Sequence, residues 1–262
     1  MNARKIFDLH AVPIPDLTGK AILVTGAGRG IGLMLVGLLA ESGAQVFAGI
    51  KDGSAEEIAG QMPAVTVLEL DVTDPSSIAA AIQTVKDKAG RLDALVNNAG
   101  SISPIGHVDK IDSDAFGRVF DVNVVGMHRM ILASLPMLEA SQGVIVNAGT
   151  GAATTPMEGW TAYCSSKAAA RMLTQMCQME LGARGVQSFF IGIPPTDTAM
   201  QGEIREAGLN DISKIPQEAL VDPAIPASVM AWLCGPDARA LEECLLDTRD
   251  DFFQDMAKAA MS

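Results

Sequence analysis

Runs of consecutive apolar residues, bounded by glycine or polar residues, alternate along the chain with segments whose apolar residues recur every three to four positions. The runs at 21–24, 44–50, 64–70, 92–96, 143–147 and 185–193 predict short strands. The periodic segments between them predict helices. One covers 31–42 and stops at Gly43; a later one is capped by Asp74, with Pro75 in its first turn; the two longest cover 112–138 and 160–181. Met172, Met176 and Met179 fall on one side of the last of these and are read as core or subunit interface. Strand and helix repeating in this order predict an α/β fold, a doubly wound parallel sheet with helices on both faces and right-handed crossovers. Such a sheet binds its ligands at the C-terminal edge of the strands. Residues 1–16, with Pro13 and Pro15, read as an irregular lead-in to a single domain spanning 17–262.

Charge and composition narrow the partners. The net charge is −12 and the basic residues are scattered, so neither nucleic acid nor an anionic membrane is expected. No apolar run reaches the eighteen residues of a membrane span, and the first seventeen residues lack the apolar centre of a signal peptide. The expectation is a soluble, cytoplasmic protein. Cys164, Cys177, Cys234 and Cys244 show neither Cys-x-x-Cys spacing nor a His-rich neighbourhood, and are read as buried reduced thiols with no disulfide and no metal site.

The first apolar run leads directly into TGAGRGIG at 25–32. Four alternating glycines, at 26, 28, 30 and 32, let the backbone turn tightly and approach a ligand, and the helix that follows aims its free N–H groups at phosphate. The dinucleotide fingerprint GxGxxG is met imperfectly, since counting from Gly26 its third glycine falls at Ile31. Far downstream stands the chain's single tyrosine, Tyr163, with Lys167 four residues later. On a helix the two share a face. A nearby ammonium favours phenolate, lowering a pKa of about 10, and a positioned proton donor is worth roughly 10²–10⁴ in rate when a hydride reaches a carbonyl carbon.

Taken together, TGAGRGIG, Asp71-Val72, NNAG at 97–100, Asn123 and YCSSK at 163–167 stand in the order of a short-chain dehydrogenase/reductase, and the chain resembles that family over 17–200. The resemblance implies a Rossmann-type fold. It implies that Gly26, Gly28, Arg29, Gly30, Ile31 and Gly32 hold a pyrophosphate, that Asp71 and Val72 meet the adenine, and that Asn98, Ala99 and Gly100 line the cofactor. Tyr163 would be the acid/base, Lys167 would hold the nicotinamide ribose and depress the tyrosine pKa, and Asn123 would anchor a water in the proton relay. Where the family has a substrate-polarising serine, thirteen residues before the tyrosine, this chain has Thr150. The hydroxyl is kept, but the β-branch restricts its rotamer, and a threonine turned away would forfeit a hydrogen bond worth 10² or more in rate.

Further departures bear on cofactor and substrate. The family's NAD-selecting acid is replaced by Ile50, with Lys51 next and Arg29 in the glycine loop, which favours NADP(H); Asp52, if it faced the ribose, would favour NAD(H). The usual Pro-Gly after the sixth strand is Pro194-Pro195, which leaves the nicotinamide contacts at Pro194 and Thr198 less secure. GWTAYC at 159–164 and DTAMQ at 197–201 are similar to the sepiapterin and benzil reductase branch, where an aspartate near the C-terminus grips the pterin; Asp247 and Asp250 are the candidates here. Trp160 is read as a pocket wall or as packing, and the loop-like stretch 201–226 as a lid or an ordinary connection. The implied activity is NADP(H)-dependent reduction of a ketone or aldehyde by a homodimer or homotetramer paired through 112–138 and 160–181, with Ala168, Ala169 and Ala170 permitting close approach. The alternatives are an NAD-dependent alcohol dehydrogenase and, given Thr150 and the proline turn, a dinucleotide-binding sensor or scaffold without turnover.

Overall fold

The computed structural model describes residues 5–51, 53 and 55–261, with residues 55–57 described as backbone only. Its centre is β1 (Ala21–Thr25), five residues that are all essentially inaccessible to water. A strand this uniformly apolar can only sit with helices over both faces. It pairs in parallel with β2 (Gln45–Ile50) on one side and β4 (Ala94–Asn97) on the other. With β3 (Thr66–Glu69), β5 (Val144–Thr150), β6 (Gln187–Ile193) and β7 (Leu245–Asp247), the described residues make a seven-stranded parallel sheet in the order β3-β2-β1-β4-β5-β6-β7. The chain runs outward from β1 to β3, then returns to the far side with β4. That reversal opens a crevice at the C-terminal ends of β1 and β4.

Alternate residues of each strand feed two cores. Ile22, Val24, Ala48, Val96 and Val146 pack with α1 (Gly30–Glu41), α8 (Ala224–Leu233) and α9 (Asp251–Met261). Leu23, Phe47, Leu95 and Ile145 pack on the other face with α3 (Pro75–Ala89), α5 (Met127–Ser141) and α6 (Thr161–Leu181). The remaining helices are α2 (Ala55–Gln61), α4 (Ser113–Phe120) and α7 (Ala199–Ala207). The expected cap is in place: Asp74 accepts from the Ser76 N–H at 2.8 Å, Pro75 opens α3, and Gly90 closes it in the left-handed region.

The segment 112–138, expected as one helix, is α4 and α5 joined by a π-helical stretch, Asp121–Gly126. Gly126 lets this stretch press on Val72, whose Cγ2 would lie 2.8 Å from any added Cβ. The methionine stripe is not core: Met172, Met176 and Met179 are 57%, 37% and 68% exposed, because α6 turns Ala170, Thr174 and Cys177 inward instead. The stretch 201–226 is more ordered than its glycines and prolines suggest. It begins inside α7, continues through short 3₁₀ turns at 211–214 and 217–219, and enters α8.

The lead-in, described from residue 5, contains no helix or strand, yet it is anchored: the N–H groups of His10 and Val12 donate to Gln254 Oε1 (3.1 Å) and Ser228 Oγ (3.0 Å). No helix among the described residues is long and apolar enough to cross a membrane.

Candidate active site

The glycine loop is shaped by contacts that exclude side chains. Gly26 and Gly30 adopt positive φ angles of 64° and 56°, and a Cβ on Gly26 would come within 2.8 Å of the Ala99 backbone. A Cβ on Gly32 would collide with the Gly26 carbonyl. Thr25 and Asn98 lock the loop against β4. Thr25 Oγ1 accepts from the N–H groups of Asn98 (3.1 Å) and Ala99 (3.0 Å), while Asn98 Nδ2 donates to the carbonyls of Thr25 (3.1 Å) and Gly26 (3.0 Å). The first turn of α1 has no side-chain cap, so its N–H groups are available to an anion in the crevice.

A groove of about 570 Å³ runs along this edge, lined by the glycine loop, Lys51, Asp71, Val72, Asn98, Ala99, Gly100 and Thr198. Lys51 Nζ pairs with Asp71 Oδ2 at 2.8 Å, and Asp71 Oδ1 accepts from the N–H (2.9 Å) and hydroxyl (2.7 Å) of Thr73. Partial burial works to raise the Asp71 pKa, but the hydrogen bonds from Lys51 and Thr73 outweigh it and hold the carboxyl below its ordinary value. Ile50, at the end of β2, is buried; Asp52 lies outside the described residues. The uncapped helix turn, the glycine cradle and the charged end of this groove together fit a dinucleotide.

Beside the groove lies a cavity of about 390 Å³, and the two share Ile31, Asn98, Gly100, Thr198 and Met200. Thr150, Tyr163 and Lys167 all line the cavity. Thr150 is therefore set at the cavity beside Tyr163, and its Oγ1 accepts from the Ala152 N–H at 3.3 Å. Burial drives the Tyr163 pKa up, helped slightly by Cys164 and opposed by the neighbouring Thr150 hydroxyl, so the phenol holds its proton.

The expected depression of that pKa by Lys167 is absent. Lys167 is itself buried, which lowers its pKa to about 8, and its Nζ donates to the Ala148 carbonyl at 2.8 Å, 5.8 Å from the centre of the tyrosine ring. Asn123, in the π-helical stretch, accepts from the Ser101 N–H (2.8 Å) and donates to the Ser101 carbonyl (2.8 Å) and to Ser166 Oγ (2.9 Å). Both amide donors are engaged, so a water held by this residue must hang on an oxygen. A Cβ at Gly100 would lie 3.4 Å from Asn123 Oδ1 and 3.7 Å from Lys167 Nζ, so this glycine passes close to both groups.

Two ties around the site join residues too far apart in sequence for local pattern to show. Ser166 ties Asn123 to α6, since its hydroxyl also donates to the Tyr163 carbonyl at 2.8 Å. A buried polar ladder crosses the sheet from Asn97 Nδ2 to Asn147 Oδ1 (2.9 Å), from Asn147 Nδ2 to Thr174 Oγ1 (3.1 Å), and from Thr174 to the Ala170 carbonyl (2.9 Å). Thr198 sits at the seam of groove and cavity in spite of the double proline, its methyl facing Gly30. Trp160 proves to be both wall and packing: it lines the cavity and meets Tyr163 edge to face at 5.7 Å. Asp247 and Asp250 do not line the cavity; Asp247 is bound bidentately by Arg249, and Asp250 accepts the Asp247 N–H at 2.7 Å.

Comparison with known proteins agrees with this geometry. The family model for short chain dehydrogenases matches residues 20–208, which contain the groove and every catalytic candidate. A benzil reductase of Saccharomyces cerevisiae that forms (S)-benzoin is 33% identical over 239 residues, 82% of this chain and 90% of that protein. The structure of a 3-ketoacyl-(acyl-carrier-protein) reductase from Brucella melitensis complexed with NADH superposes with a TM-score of 0.79 at 26% identity, covering 88% of this chain and 97% of that one. A short chain dehydrogenase from Burkholderia cenocepacia in complex with NADP gives a TM-score of 0.77 at 29% identity, covering 88% and 97%. With a cradle for a nicotinamide dinucleotide on one side of Gly100 and a protonated phenol on the other, this chain belongs to the short-chain dehydrogenase family.

Proposed function

We propose that the protein is an NADP(H)-dependent carbonyl reductase that acts on a ketone or aldehyde. One observation carries the reading: a protonated Tyr163 stands with Thr150 in a largely apolar cavity that opens into the dinucleotide groove at Gly100 and Thr198. Bound in the groove, the dinucleotide supplies the hydride. The protein's own groups handle the charge that appears on the carbonyl oxygen. Tyr163 gives that oxygen its proton, and the Thr150 hydroxyl, held beside the phenol, donates a second hydrogen bond to it. Lys167, buried against the Ala148 carbonyl, would hold the nicotinamide ribose, and Asn123 and Ser166 hold the catalytic helix against the Ser101 backbone.

The preference for NADP(H) rests on Arg29 and Lys51, two cations at one end of the groove, and on the buried Ile50 where an acid would be needed to favour an unphosphorylated ribose. A 2′-phosphate competes with Asp71 for Lys51, exchanging one charge-assisted bond for another. The exposed apolar side chains of Val125, Leu132, Met172, Met176 and Met179 support a homodimer or homotetramer assembled through the π-helical stretch, α5 and α6. The four free thiols suit a reducing compartment such as the cytoplasm.

The test is steady-state oxidation of NADPH, and separately of NADH, over a panel of aldehydes, ketones and vicinal diketones. Turnover should prefer NADPH, and Tyr163→Phe should lower kcat by about 10²–10⁴. Cofactor binding without turnover of any carbonyl compound would move the non-catalytic alternative ahead, and a preference for NADH would favour the alcohol dehydrogenase.

A further inference from the structure

Part of the cavity wall lies outside the region that matches the family. That match begins at residue 20, whereas Ile6 and Phe7 of the lead-in line the cavity together with Arg249 from the other end of the chain. The lead-in is fixed there by directional contacts. The Ile6 N–H donates to the Ala219 carbonyl at 3.0 Å and Lys5 Nζ to the Leu220 carbonyl at 2.8 Å. The next residue, Val221, is bound in turn to the turn after β6: its N–H donates to the Pro195 carbonyl (3.1 Å) and its carbonyl accepts from Asp197 (2.9 Å). The lead-in is thus tied, through two short links, to the same turn that carries Thr198.

Phe7 has its own prop. The Arg249 guanidinium lies 5.4 Å from the centre of the Phe7 ring, and Asp247 holds that guanidinium flat by accepting from Nε (2.6 Å) and Nη2 (2.7 Å). Because Asp247 neutralises Arg249, the pair presents a stacking surface and not a free cation for a substrate carboxylate. Trp160 stands beside Tyr163. The rest of the wall includes aliphatic and sulfur side chains such as Ile102, Met157 and Ile204.

We propose that Ile6 and Phe7 are substrate-specificity residues, receiving the apolar end of a bulky, uncharged ketone whose carbonyl sits at Tyr163 and Thr150. The assignment rests on the reductase reading for the orientation of the substrate. The cavity, about 390 Å³, is larger than a short ketone fills; a ketone with an aromatic or branched-alkyl substituent covers more of its apolar wall, Ile6 and Phe7 included, and removes more apolar surface from water.

Two vicinal diketones that share a reacting group and differ in bulk, benzil and 2,3-butanedione, separate these cases. Their affinities for the protein saturated with oxidised NADP are measured by calorimetry, a readout that needs no turnover. The wild-type protein should bind benzil the more tightly, and Phe7→Ala should reduce the benzil-to-butanedione affinity ratio about tenfold. Phe7→Leu should recover most of the loss, and Ile6→Ala should act in the same direction. The proposal is overturned if wild type does not favour benzil, or if both diketones weaken in parallel in Phe7→Ala, as they would if the lead-in served stability alone. A protein that binds both diketones and reduces neither sinks the reductase reading, while the affinity ratio still decides the role of the lead-in.

Discussion

The dinucleotide groove and the substrate cavity lie side by side, yet they are built from different kinds of information. The groove is largely backbone: turns at Gly26 and Gly30, an uncapped helix end, and carbonyls pinned by Asn98. Most of its parts come from three short segments of the first hundred residues. The cavity is side chain, gathered from positions as distant as Phe7, Ile102, Met157, Ile204 and Arg249. Backbone geometry tolerates few residue types and so leaves a motif, whereas an apolar wall accepts any side chain of the right volume. That is why the cofactor class is readable and the substrate is not.

If this contrast is right, perturbations on the two sides should fail differently. After Tyr163, the largest effect is expected at Thr150. Removing its hydroxyl in Thr150→Ala should lower kcat by about 10²–10³ while Thr150→Ser retains activity, because the loss is of one donor to a developing oxyanion. Equal rates for the alanine and serine variants would show that the hydroxyl does not face the reaction.

Lys167, at the seam, gives a stability effect with a defined sign. Its folded pKa is about 8 against 10.5 when unperturbed, so below pH 8 the folded state carries a buried charge that the unfolded state hydrates freely. Between pH 8 and 10.5 the unfolded chain binds the extra proton, and stability should rise with pH there. Lys167→Met removes the penalty. Without cofactor it should be more stable than wild type at pH 7 by up to about 3 kcal/mol, with the gap closing towards pH 10.5 in urea titrations. A gap independent of pH would mean that the lysine contributes packing and no buried charge.

The smallest effect is expected in the groove. The Cβ of Gly32→Ala has nowhere to go but the Gly26 carbonyl, and overpacking of this kind costs about 1–3 kcal/mol. It should appear as weaker binding of NADPH, followed by its fluorescence, with the benzil-to-butanedione ratio unaltered. A change in that ratio would mean that groove and cavity are one mechanical unit.

How far each region could be read follows from the same physics. The strands, the Asp74 cap, the glycine loop and the Tyr163–Lys167 pair follow from local pattern, and the structure has each of them. The edge strand β7 was missed because three residues carry too little periodicity, and α2 because its seven residues fall in a polar stretch. For the methionine stripe, read as core or subunit interface, the structure removes only the core reading, because spacing identifies a face but not which face is buried. Ser166 and Thr174 escaped because their partners, Asn123 and Asn147, lie 43 and 27 residues away. The lead-in read only as irregular because prolines and mixed polarity announce the lack of regular structure, and say nothing of where the chain is tied down.

The polar ladder from Asn97 through Asn147 to Thr174 also bears on assembly. Thr174 lies on the same helix as Tyr163, three turns further on, and among the described residues its hydroxyl is the rung that joins that helix to the ladder. Apolar contacts would accept α6 at many rotations, but a buried amide accepts it at one, since any other leaves Asn147 without an acceptor for its N–H in a dry interior. A slip of one residue between β4 and β5 would break the same chain of bonds. The ladder therefore acts as a proofreading contact during folding: a chain that pairs its central strands wrongly, or seats α6 at the wrong angle, forfeits the stability that would hold the mistake in place.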